Sequence, residues 1–362
     1  MSKSLQIAFF GSSLLSAYWN GAATYYRGII RALHQLGHRV TFYEPDAYER
    51  QQHRDISEPP WAKVVVYENS RDAALCQVKN AANSDIIVKA SGVGVFDELL
   101  ESAVLEQKNG ANAIVFWDVD APATLNRLFQ DENDPFRQKV PCYDLILTYG
   151  GGEPVKAAYQ HFGARNCVPI YNALDQETHY PTKREPQFES TLAFLGNRLP
   201  DREARVEEFF LGTARLLPER AFLLGGNGWQ GKELPSNVRY LGHVSTSHHN
   251  AFNCSPLAIL NISRASMAEY GYSPATRVFE AAGAGSCMIT DYWEGISEFF
   301  EPDREILVAE NSAGVAEHLR RLNLERAREI GAAARRRVLA EHTYTHRVKE
   351  VERLFNQMVH NL

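Results

Sequence analysis

The chain is poor in the features that build disulfide frameworks or membrane spans. Its five cysteines are scattered along 362 residues and form no CxxC pair. This pattern is typical of reduced cysteines in a cytoplasmic protein rather than of a disulfide or zinc framework. No stretch reaches the roughly 20 apolar residues that a bilayer requires, and the N-terminus runs into a strand pattern without a signal-peptide core. We therefore expect a cytoplasmic protein without a transmembrane segment.

An excess of positive charge is also absent. The formal net charge is −6, with 44% hydrophobic and 23% charged residues. These values indicate an ordinary globular protein and argue against nucleic acid as the main partner. The basic run Arg335 to Arg337 is expected to be a solvated helix face, with a peripheral membrane contact as the alternative. The pairs His248-His249 and His342…His346 lack a Glu or Cys that would complete a metal site, so we expect solvent-facing histidines and no metal.

Short apolar runs alternate with amphipathic segments in two series, which a polar, proline-bearing linker separates at 179–186. Apolar strands that alternate with helices indicate parallel sheets covered on both faces, and the chain length suggests two domains. The predicted helices include Ala22–Leu36, Asp201–Leu217 and 345–362. The predicted strands are Leu5–Phe10, Val40–Tyr43, Val64–Tyr67, Ile86–Lys89, Ala113–Trp117, Leu145–Thr148, Leu192–Leu195, Phe222–Leu224, Val238–Leu241, Leu257–Ile262 and Cys287–Thr290.

A dinucleotide-binding fingerprint is missing from the first strand–helix connection. After Gly11 the next glycine is Gly21, so G-x-G-x-x-G is absent. Glu44 ends the second strand, where a ribose-binding acid often lies in dinucleotide domains. A nicotinamide-dependent oxidoreductase is therefore a weaker alternative. Gly11 itself serves either as a turn or as a close backbone approach to a ligand.

The segment from Tyr272 to Asp291 carries the strongest functional signal. Ser273 is a predicted helix N-cap, and Pro274 suits the first turn. A helix that starts at the edge of an α/β sheet offers free N–H groups and a positive dipole end to an anion. Arg277 adds a positive charge, and Glu280 lies three residues later on the same side of the helix. The segment therefore predicts a phosphate site beside a carboxylate that accepts hydrogen bonds from sugar hydroxyls.

These motifs together resemble the GT-B glycosyltransferases of the group 1 superfamily, in the branch related to spore maturation protein B. The resemblance implies two Rossmann-like α/β domains that face each other across a cleft. Residues 1–172 would form the acceptor-side domain, 173–344 the donor domain, and 345–362 a helix that packs back on the N-terminal domain. The matching segments are Leu36–Val40, Trp117–Pro122, Tyr171–Asp175, Leu195–Arg202 and Arg277–Asp291.

The resemblance also implies a set of donor-binding residues. Arg277 and the loop before it, with Tyr272, Ser273 and Thr276, correspond to the diphosphate side, and Glu280 corresponds to the ribose carboxylate. The segment Gly242, His243 and Val244 corresponds to the base contact, and Asn197, Arg198 and Arg202 to the loop that opens the donor domain. Gly11, after the first strand, is also a candidate donor-binding residue. Tyr272 stands where many retaining members carry a second glutamate.

The function that follows is transfer of a sugar from a nucleotide-diphosphate donor to a hydroxyl. We expect UDP, GDP or dTDP as the nucleotide, no metal or other cofactor, retention at the anomeric carbon, and a sugar, glycan or small molecule as acceptor. Arg277 would stabilise the leaving group. Asp118 and Asp120 end a buried strand and are expected to face the cleft, where either could act on the acceptor hydroxyl. Asp120 could instead cap the helix that begins at Ala121.

Several alternatives stay open at this stage. A non-catalytic sugar-nucleotide-binding or coat-assembly protein fits the missing glutamate, and an epimerase or phosphorylase fits the fold. The aromatic side chains of Tyr18, Trp19, Tyr25 and Tyr26 either line the acceptor site or form a core helix face.

Overall fold

The computed structural model describes residues 4–360, which form two compact units. The first contains the chain up to Tyr171 together with the C-terminal segment from Tyr344, and the second spans Asn172–Thr343. These limits lie one residue from the boundaries expected from the sequence. Among the described residues, no helix is long and apolar enough to cross a membrane.

The first unit is built on a seven-stranded parallel sheet of order β3-β2-β1-β4-β5-β6-β7. Every predicted strand of this half is present, and β7 adds an edge strand that the sequence analysis missed. The order 3-2-1-4-5-6 is that of a Rossmann-like sheet. The strands are β1 (Gln6–Phe10), β2 (Arg39–Pro45), β3 (Lys63–Tyr67), β4 (Ile86–Ala90), β5 (Ala113–Asp118), β6 (Leu145–Thr148) and β7 (Cys167–Pro169).

The second unit repeats the arrangement with a six-stranded parallel sheet of order β10-β9-β8-β11-β12-β13. Its strands are almost wholly apolar and buried except at the β10 edge, as parallel strands covered on both faces require. The strands are β8 (Leu192–Leu195), β9 (Phe222–Gly225), β10 (Val238–Gly242), β11 (Ala258–Asn261), β12 (Met288–Asp291) and β13 (Leu307–Ala309).

Fifteen α-helices connect these strands within residues 4–360. They are α1 (Ala23–Gln35), α2 (Arg71–Asn80), α3 (Asp97–Ala103), α4 (Ala121–Gln130), α5 (Pro135–Lys139), α6 (Gly152–His161), α7 (Pro200–Val206), α8 (Thr213–Leu216), α9 (His249–Cys254), α10 (Ala265–Tyr270), α11 (Thr276–Gly283), α12 (Ile296–Phe299), α13 (Ser312–Arg321), α14 (Leu324–Glu341) and α15 (Tyr344–His360).

The helix predicted over Asp201–Leu217 is interrupted. A π-helical segment, Glu207–Gly212, joins α7 to α8. The hydroxyl of Thr213 donates to the Phe209 carbonyl at 2.7 Å within this stretch. The extra residue per turn of a π segment lets three consecutive apolar residues stay buried, which a regular helix would spread around its circumference.

The C-terminal helix α15 belongs to the first unit, where it packs against α1. The rings of Tyr25 on α1 and Tyr344 on α15 have centroids 6.1 Å apart. Gly28 permits this approach, because a Cβ atom built at that position would lie 2.2 Å from Cδ2 of Tyr344. The expected return of the C-terminal helix to the N-terminal unit is confirmed. Tyr25 and Tyr26 are core residues, with 2% and 1% of their surface exposed.

We expect Gly28→Val to lower the unfolding temperature of the first unit, because the added atoms must displace the buried Tyr344 ring. Overpacking of this kind costs about 1–3 kcal/mol. Gly21→Ala is the matched control, since its Cβ atom would meet nothing within 4 Å. Scanning calorimetry measures both variants, and equal unfolding temperatures would contradict the packing between α1 and α15.

Candidate functional site

Helix α11 begins later than the sequence predicts. Its N-cap position is Ala275, which has extended backbone, and its first helical residue is Thr276. Ser273, the predicted N-cap, instead donates its hydroxyl to the Gly271 carbonyl at 2.9 Å. The predicted capping by Ser273 is therefore wrong, and this side chain is committed to the loop before the helix.

Asn172 supplies the physical reason for the late start. Its buried side chain donates from Nδ2 to the Pro274 carbonyl at 3.3 Å. Its Oδ1 accepts from the Thr276 hydroxyl at 3.0 Å. The Pro274 carbonyl is thereby used by a residue distant in sequence, and the amide of Val278 bonds to Ala275 instead. The opening amides of α11 keep the free N–H groups and positive dipole end that favour an anion.

The Arg277 guanidinium is the most informative group on α11. Its Nη1 atom is buried and, among residues 4–360, has no hydrogen-bond partner. Burial lowers the pKa of Arg277, and the Glu280 carboxylate opposes that shift only in part. Leaving a buried hydrogen-bond donor unsatisfied costs about 1–3 kcal/mol. An anionic ligand is the partner that this arrangement lacks.

Arg202, at the start of α7, places a second guanidinium within electrostatic range of the first. Its Nη2 atom donates to the Asn197 carbonyl at 2.7 Å, and its guanidinium carbon lies 5.6 Å from the centre of the Phe194 ring. Burial, followed by repulsion from Arg277, lowers the pKa of Arg202 to about 10. Two cations that disfavour each other's charge form a region where a diphosphate would relieve the repulsion.

Arg198 differs from these two arginines because it already has a carboxylate partner. Its Nε and Nη2 atoms donate to the two oxygens of Glu203 at 2.8 and 2.7 Å. Lys232 contacts the same carboxylate at 3.1 Å. The hydrogen bonds that Arg198 donates to Glu203 raise the pKa of Arg198. A phosphate contact by Arg198 would have to compete with this bidentate pair, so we rank it below Arg202 and Arg277.

Asn197 holds together the two glycine loops that follow β8 and β9. Its Oδ1 accepts from the Asn227 amide at 2.9 Å, and the Arg198 amide donates to the Asn227 carbonyl at 2.9 Å. Gly226 has φ +115°, and a Cβ atom there would lie 2.2 Å from the Gly196 carbonyl oxygen. Only glycine fits this approach. The two loops are thus a rigid support at the carboxyl ends of adjacent strands.

Glu280 is a buried carboxylate near Arg277 and two histidines. Only 8% of its surface is exposed, and its Oε1 atom lies 3.7 Å from Nε2 of His179. Burial pushes the pKa of Glu280 upward, but His179, Arg277 and His249 outweigh it and hold the pKa below its ordinary value. The group is therefore an ionised, acceptor-only carboxylate at neutral pH, which suits hydrogen bonding to a pair of hydroxyls.

The segment after β10 presents open backbone next to a buried histidine. Gly242 has φ +71°, and a Cβ atom there would meet nothing within 4 Å. His243 is exposed, whereas Val244 is 7% exposed. The Val244 carbonyl lies 3.2 Å from Nε2 of His249. His249 was expected to face solvent, but it is half-buried and its ring lies against the Val244 carbonyl.

Burial, with repulsion from Arg277, lowers the pKa of His249 from 6.5 to about 4. Between about pH 4 and 6.5 the histidine is protonated in the unfolded state but neutral in the folded state. The free energy of unfolding should therefore rise with pH over this range. We expect His249→Gln to reduce that rise, measured by denaturant titration at several pH values. The exposed neighbour gives the control His248→Gln, which should behave as wild type. An unchanged pH dependence in His249→Gln would refute a buried neutral His249.

Tyr272 adopts a left-handed conformation, with φ +45°. Its amide donates to the Glu294 carbonyl at 2.6 Å, and its hydroxyl lies 3.4 Å from Oε1 of Glu294. Gly295 accommodates the ring, since a Cβ atom there would lie 2.3 Å from it. The tyrosine that stands in place of the expected glutamate is therefore accompanied by a carboxylate from the segment before α12.

The basic run on α14 fixes the site rather than facing solvent. Nε of Arg335 donates to the Gly283 carbonyl at the end of α11, and Nε of Arg337 donates to the Phe299 carbonyl at the end of α12, each at 3.3 Å. Only Arg336 is fully exposed. The predicted solvated face is thus wrong for two of the three arginines. His342 is also buried, against the Phe279 ring at 5.8 Å.

The described residues contain no group of three or more His, Cys, Asp or Glu side chains that could hold a metal ion.

No curated protein matches the chain in sequence. Solved structures, however, share its fold over nearly the full length. The sucrose-phosphate synthase of Thermosynechococcus elongatus is 12% identical, with a TM-score of 0.72 over 99% of this chain and 100% of that one. HepE of Anabaena, solved with UDP and glucose, is 14% identical, with a TM-score of 0.67 over 98% and 100%.

A third similar structure is an alpha-glucosyltransferase with UDP and a 13-mer DNA, 13% identical, with a TM-score of 0.70 over 98% of this chain and 100% of that one. At these identities the likeness establishes the fold. Residues 202–353, which contain Arg277 and Glu280, match the model of the family described as glycosyl transferase-like. The chain has the GT-B fold of these structures. The narrower resemblance to the spore maturation protein B branch stays a prediction.

In the first unit, Asp118 is enclosed, although it was expected to face a cleft. It is 0% exposed. It accepts hydrogen bonds from the Ser91 hydroxyl at 2.7 Å, from the Asp120 amide at 2.9 Å and from the Tyr159 hydroxyl. Burial raises the pKa of Asp118 despite the Tyr159 and Ser91 hydrogen bonds. The expected placement in a cleft is wrong, because donors from the loops after β4 and β5 and from α6 enclose the carboxylate.

Asp120 is the more accessible of the two carboxylates. It occupies the position before α4, but within residues 4–360 its side chain makes no capping hydrogen bond to that helix. The alternative prediction, that Asp120 is a side-chain cap, is therefore wrong. The backbone at Asp120 has φ −148° and ψ 59°, outside the usual cap geometry. Of the two predicted acceptor-side groups, only Asp120 keeps a partly exposed carboxylate.

Asp118→Asn is expected to lower the free energy of unfolding by about 1–3 kcal/mol. The substitution replaces one accepting carboxylate oxygen by an NH2 group, which would then face another hydrogen-bond donor. Asp120→Asn is the control and should leave the unfolding temperature close to that of wild type. Denaturant titration measures both variants. Equal stability of the Asp118 variant and wild type would mean that the three hydrogen bonds contribute little.

Gly11 and Glu44 have structural partners in the first unit. A Cβ atom at Gly11 would lie 2.5 Å from Cζ of Phe42, so close packing alone requires glycine there. Glu44 is 0% exposed and accepts from Ser13, from the Leu14 amide and from Gln51. A carboxylate whose oxygens are already bonded does not provide the ribose contact of a dinucleotide domain. This occupancy weighs against the oxidoreductase alternative.

Proposed function

We propose that the second unit binds a uridine diphosphate sugar and that the enzyme transfers this sugar to an acceptor hydroxyl, without a metal ion and with retention of anomeric configuration. The observation that carries the proposal is the buried Nη1 of Arg277, which has no hydrogen-bond partner among residues 4–360. Arg277 also lies within electrostatic range of a second guanidinium, Arg202, and of the ionised Glu280. UDP is the preferred nucleotide because the fold's structural neighbours include proteins solved with UDP or UDP-glucose.

Each part of the donor has a matching group in the second unit. The diphosphate would be held by the opening amides of α11, with Thr276, and by Arg277 and Arg202. The ribose hydroxyls would donate to Glu280. The open backbone at Gly242, with His243 and Val244, would contact the base. The loop of Tyr272 and Ser273 would lie beside the sugar.

The reaction breaks the bond between the anomeric carbon and the β-phosphate oxygen, which leaves with the electron pair. The acceptor oxygen forms the new bond to the same carbon, and its proton passes to the departing phosphate oxygen. Negative charge therefore grows on the diphosphate in the transition state. Fixed cations aimed at that charge commonly supply the largest single contribution to catalysis. Arg277 is the group best placed for this role, and Asp120 is the candidate that orients the acceptor hydroxyl from the first unit.

Thermal unfolding with UDP, GDP, dTDP, ADP and NAD tests the proposal. A ligand at 100 times its Kd stabilises the folded state by about 2.7 kcal/mol. We expect UDP to raise the unfolding temperature by several degrees, equally with and without EDTA, and NAD to leave it unchanged. A shift with NAD and none with nucleoside diphosphates would overturn the proposal. Loss of the UDP shift in EDTA would overturn the metal-independent part alone.

Release of UDP from UDP-glucose separates an enzyme from a non-catalytic binding protein. We expect slow hydrolysis without an acceptor and faster release with one. UDP binding without turnover across a panel of UDP-sugars and acceptors would favour the binding-protein alternative. DNA is not among the proposed acceptors, although one neighbour was solved with it, because the net charge of this chain is −6.

A further inference from the structure

The first unit exposes three large aromatic side chains on the loops that follow β1 and β2. Trp19 is 66% exposed, Tyr48 54% and Tyr18 38%. In the described part of this unit, the only other large hydrophobic side chain with comparable exposure is Phe129, on α4. In open parallel sheets, the loops beyond the carboxyl ends of the strands form the ligand-binding edge. The exposed aromatics are thus concentrated where a ligand would bind.

Two of these residues hold an unfavourable backbone conformation. Trp19 has φ +47° and Tyr48 has φ +57°. A bulky residue in the left-handed region costs on the order of 1 kcal/mol or more, and it persists where the surrounding structure over-determines it. Glycine would adopt the same conformation without that cost. Aromatic residues therefore stand at these two positions despite the backbone cost.

Arg50 and Gly94 fix the Tyr48 side chain. The tyrosine hydroxyl donates to the Gly94 carbonyl at 2.6 Å, and the guanidinium carbon of Arg50 lies 5.0 Å from the ring centre. Nη1 of Arg50 donates to the carbonyls of Ser12 and Val93 at 3.2 and 3.3 Å. One buried guanidinium therefore joins the loops after β1, β2 and β4 beneath the aromatic ring.

A second set of contacts fixes the loop of Tyr18 and Trp19. Nδ2 of Asn20 donates to the Ser13 and Ser16 carbonyls at 2.8 and 3.0 Å. The Tyr18 ring stacks on the imidazole of His53, with centroids 4.1 Å apart. Asp55 accepts from the Ala17 amide at 2.8 Å and pairs with Arg27 at 2.7 Å. The aromatic side chains are presented by loops that are already ordered without a ligand.

The chemistry of this patch suits one kind of occupant. Pre-positioned aromatic rings offer flat, polarisable faces against which the C–H face of a pyranose ring packs, while hydroxyls at its rim bond to a polar neighbour such as His53. Nη1 of Arg50 is occupied by two carbonyls, and only 6% of the Arg50 surface is exposed. This cation is therefore enclosed beneath Tyr48 and is not presented to an acidic ligand.

We propose that Trp19, Tyr48 and Tyr18 form the acceptor subsite and that the acceptor is a carbohydrate, bound by stacking of a neutral sugar ring. This inference rests on the proposed function, because it names the acceptor class of the same transfer reaction. Trp19 and Tyr48 are the residues that contact the sugar, and Arg50 is a positioning residue that acts through Tyr48.

Iodide quenching of tryptophan fluorescence tests the subsite directly. Trp117, Trp229 and Trp293 are at most 2% exposed, and Trp61 is partly buried, so quenching reports mainly on Trp19. The probes are maltose, cellobiose, lactose and N,N′-diacetylchitobiose, each with UDP present. We expect at least one disaccharide to protect Trp19 from iodide. Tyr48→Ala should weaken that protection about tenfold or more, whereas Phe129→Ala, the matched exposed aromatic, should not.

Transfer kinetics supply a second readout with UDP-glucose as donor and the protecting disaccharide as acceptor. Trp19→Ala should raise the acceptor KM at least tenfold, and Trp19→Phe should recover much of the loss. Trp19→Gly should unfold at a temperature no lower than wild type, because it relieves the strained backbone.

The outcomes separate this inference from the donor assignment. If UDP stabilises the protein but no disaccharide protects Trp19, or if a detergent micelle protects it and sugars do not, the carbohydrate subsite is wrong while the donor site stands. If a disaccharide protects Trp19 but no nucleoside diphosphate binds, the subsite stands and the proposed donor site fails.

Discussion

Arg277→Met is expected to weaken UDP binding at least about 100-fold without lowering the unfolding temperature of the unliganded protein. A hydrogen bond to a charged group contributes about 1.5–3 kcal/mol, and a guanidinium–diphosphate contact makes more than one. Methionine keeps most of the side-chain volume and removes a buried charge whose Nη1 has no partner among the described residues. Replacing such a charge by an apolar group is often neutral or stabilising.

Isothermal titration with UDP and scanning calorimetry without ligand measure the two effects. The matched control is Arg336→Met, at a fully exposed arginine of α14, which should bind UDP as wild type does. If Arg277 had only a structural role, the variant would give the opposite pattern. Its unfolding temperature would fall, and its UDP affinity would fall only as far as the loss of folded protein explains. That pattern would reject the role of Arg277 in anion binding.

Glu280→Gln is expected to abolish the preference for ribose over deoxyribose. Wild type should bind UDP at least about tenfold more tightly than 2′-deoxy-UDP, because a carboxylate that accepts from the 2′-hydroxyl loses a charge-assisted hydrogen bond with the deoxy ligand. In the variant the ratio should approach one. Titrations of both nucleotides against wild type, Glu280→Gln and the exposed control Glu310→Gln measure it. A ratio that is unchanged in Glu280→Gln would remove the ribose role.

The same substitution carries a pH signature. The pKa of Glu280 is lower in the folded protein than its ordinary value, so its ionised form stabilises the fold. That stabilisation is present above the ordinary Glu pKa of about 4.3 and is lost as the pH falls through the lower folded value. Glu280→Gln should therefore be less stable than wild type at neutral pH, and this difference should shrink in acid.

Local sequence patterns were sufficient for most of the fold. Continuous apolar runs predicted every strand except β7 and β13, which are three residues each. The glycine turn after α11 was equally visible, because Gly285 has φ +76°, where glycine is favoured. These features depend on residues close together in the chain, and the rules of periodicity and turn chemistry act at that range.

The errors concern side chains whose partners lie far away in the sequence. The start of α11 is set by Asn172, about 100 residues earlier. Asp118 is enclosed by Ser91 and Tyr159. His249 was expected to face solvent because nothing in its neighbourhood of the sequence indicates the later Glu280. The residues that orient the candidate site, Asn172, His179 and His249, were therefore the ones that sequence reasoning did not assign to it.

Comparison of UDP with uridine, titrated into wild type and Arg277→Met, most directly tests whether Arg277 binds the diphosphate. In wild type we expect UDP to bind at least about 100-fold more tightly than uridine, since only UDP carries a diphosphate that can pair with Arg277 and Arg202. In the variant that ratio should fall below about tenfold, while uridine binds to both proteins alike. An equal ratio in the two proteins would contradict a diphosphate site at the start of α11.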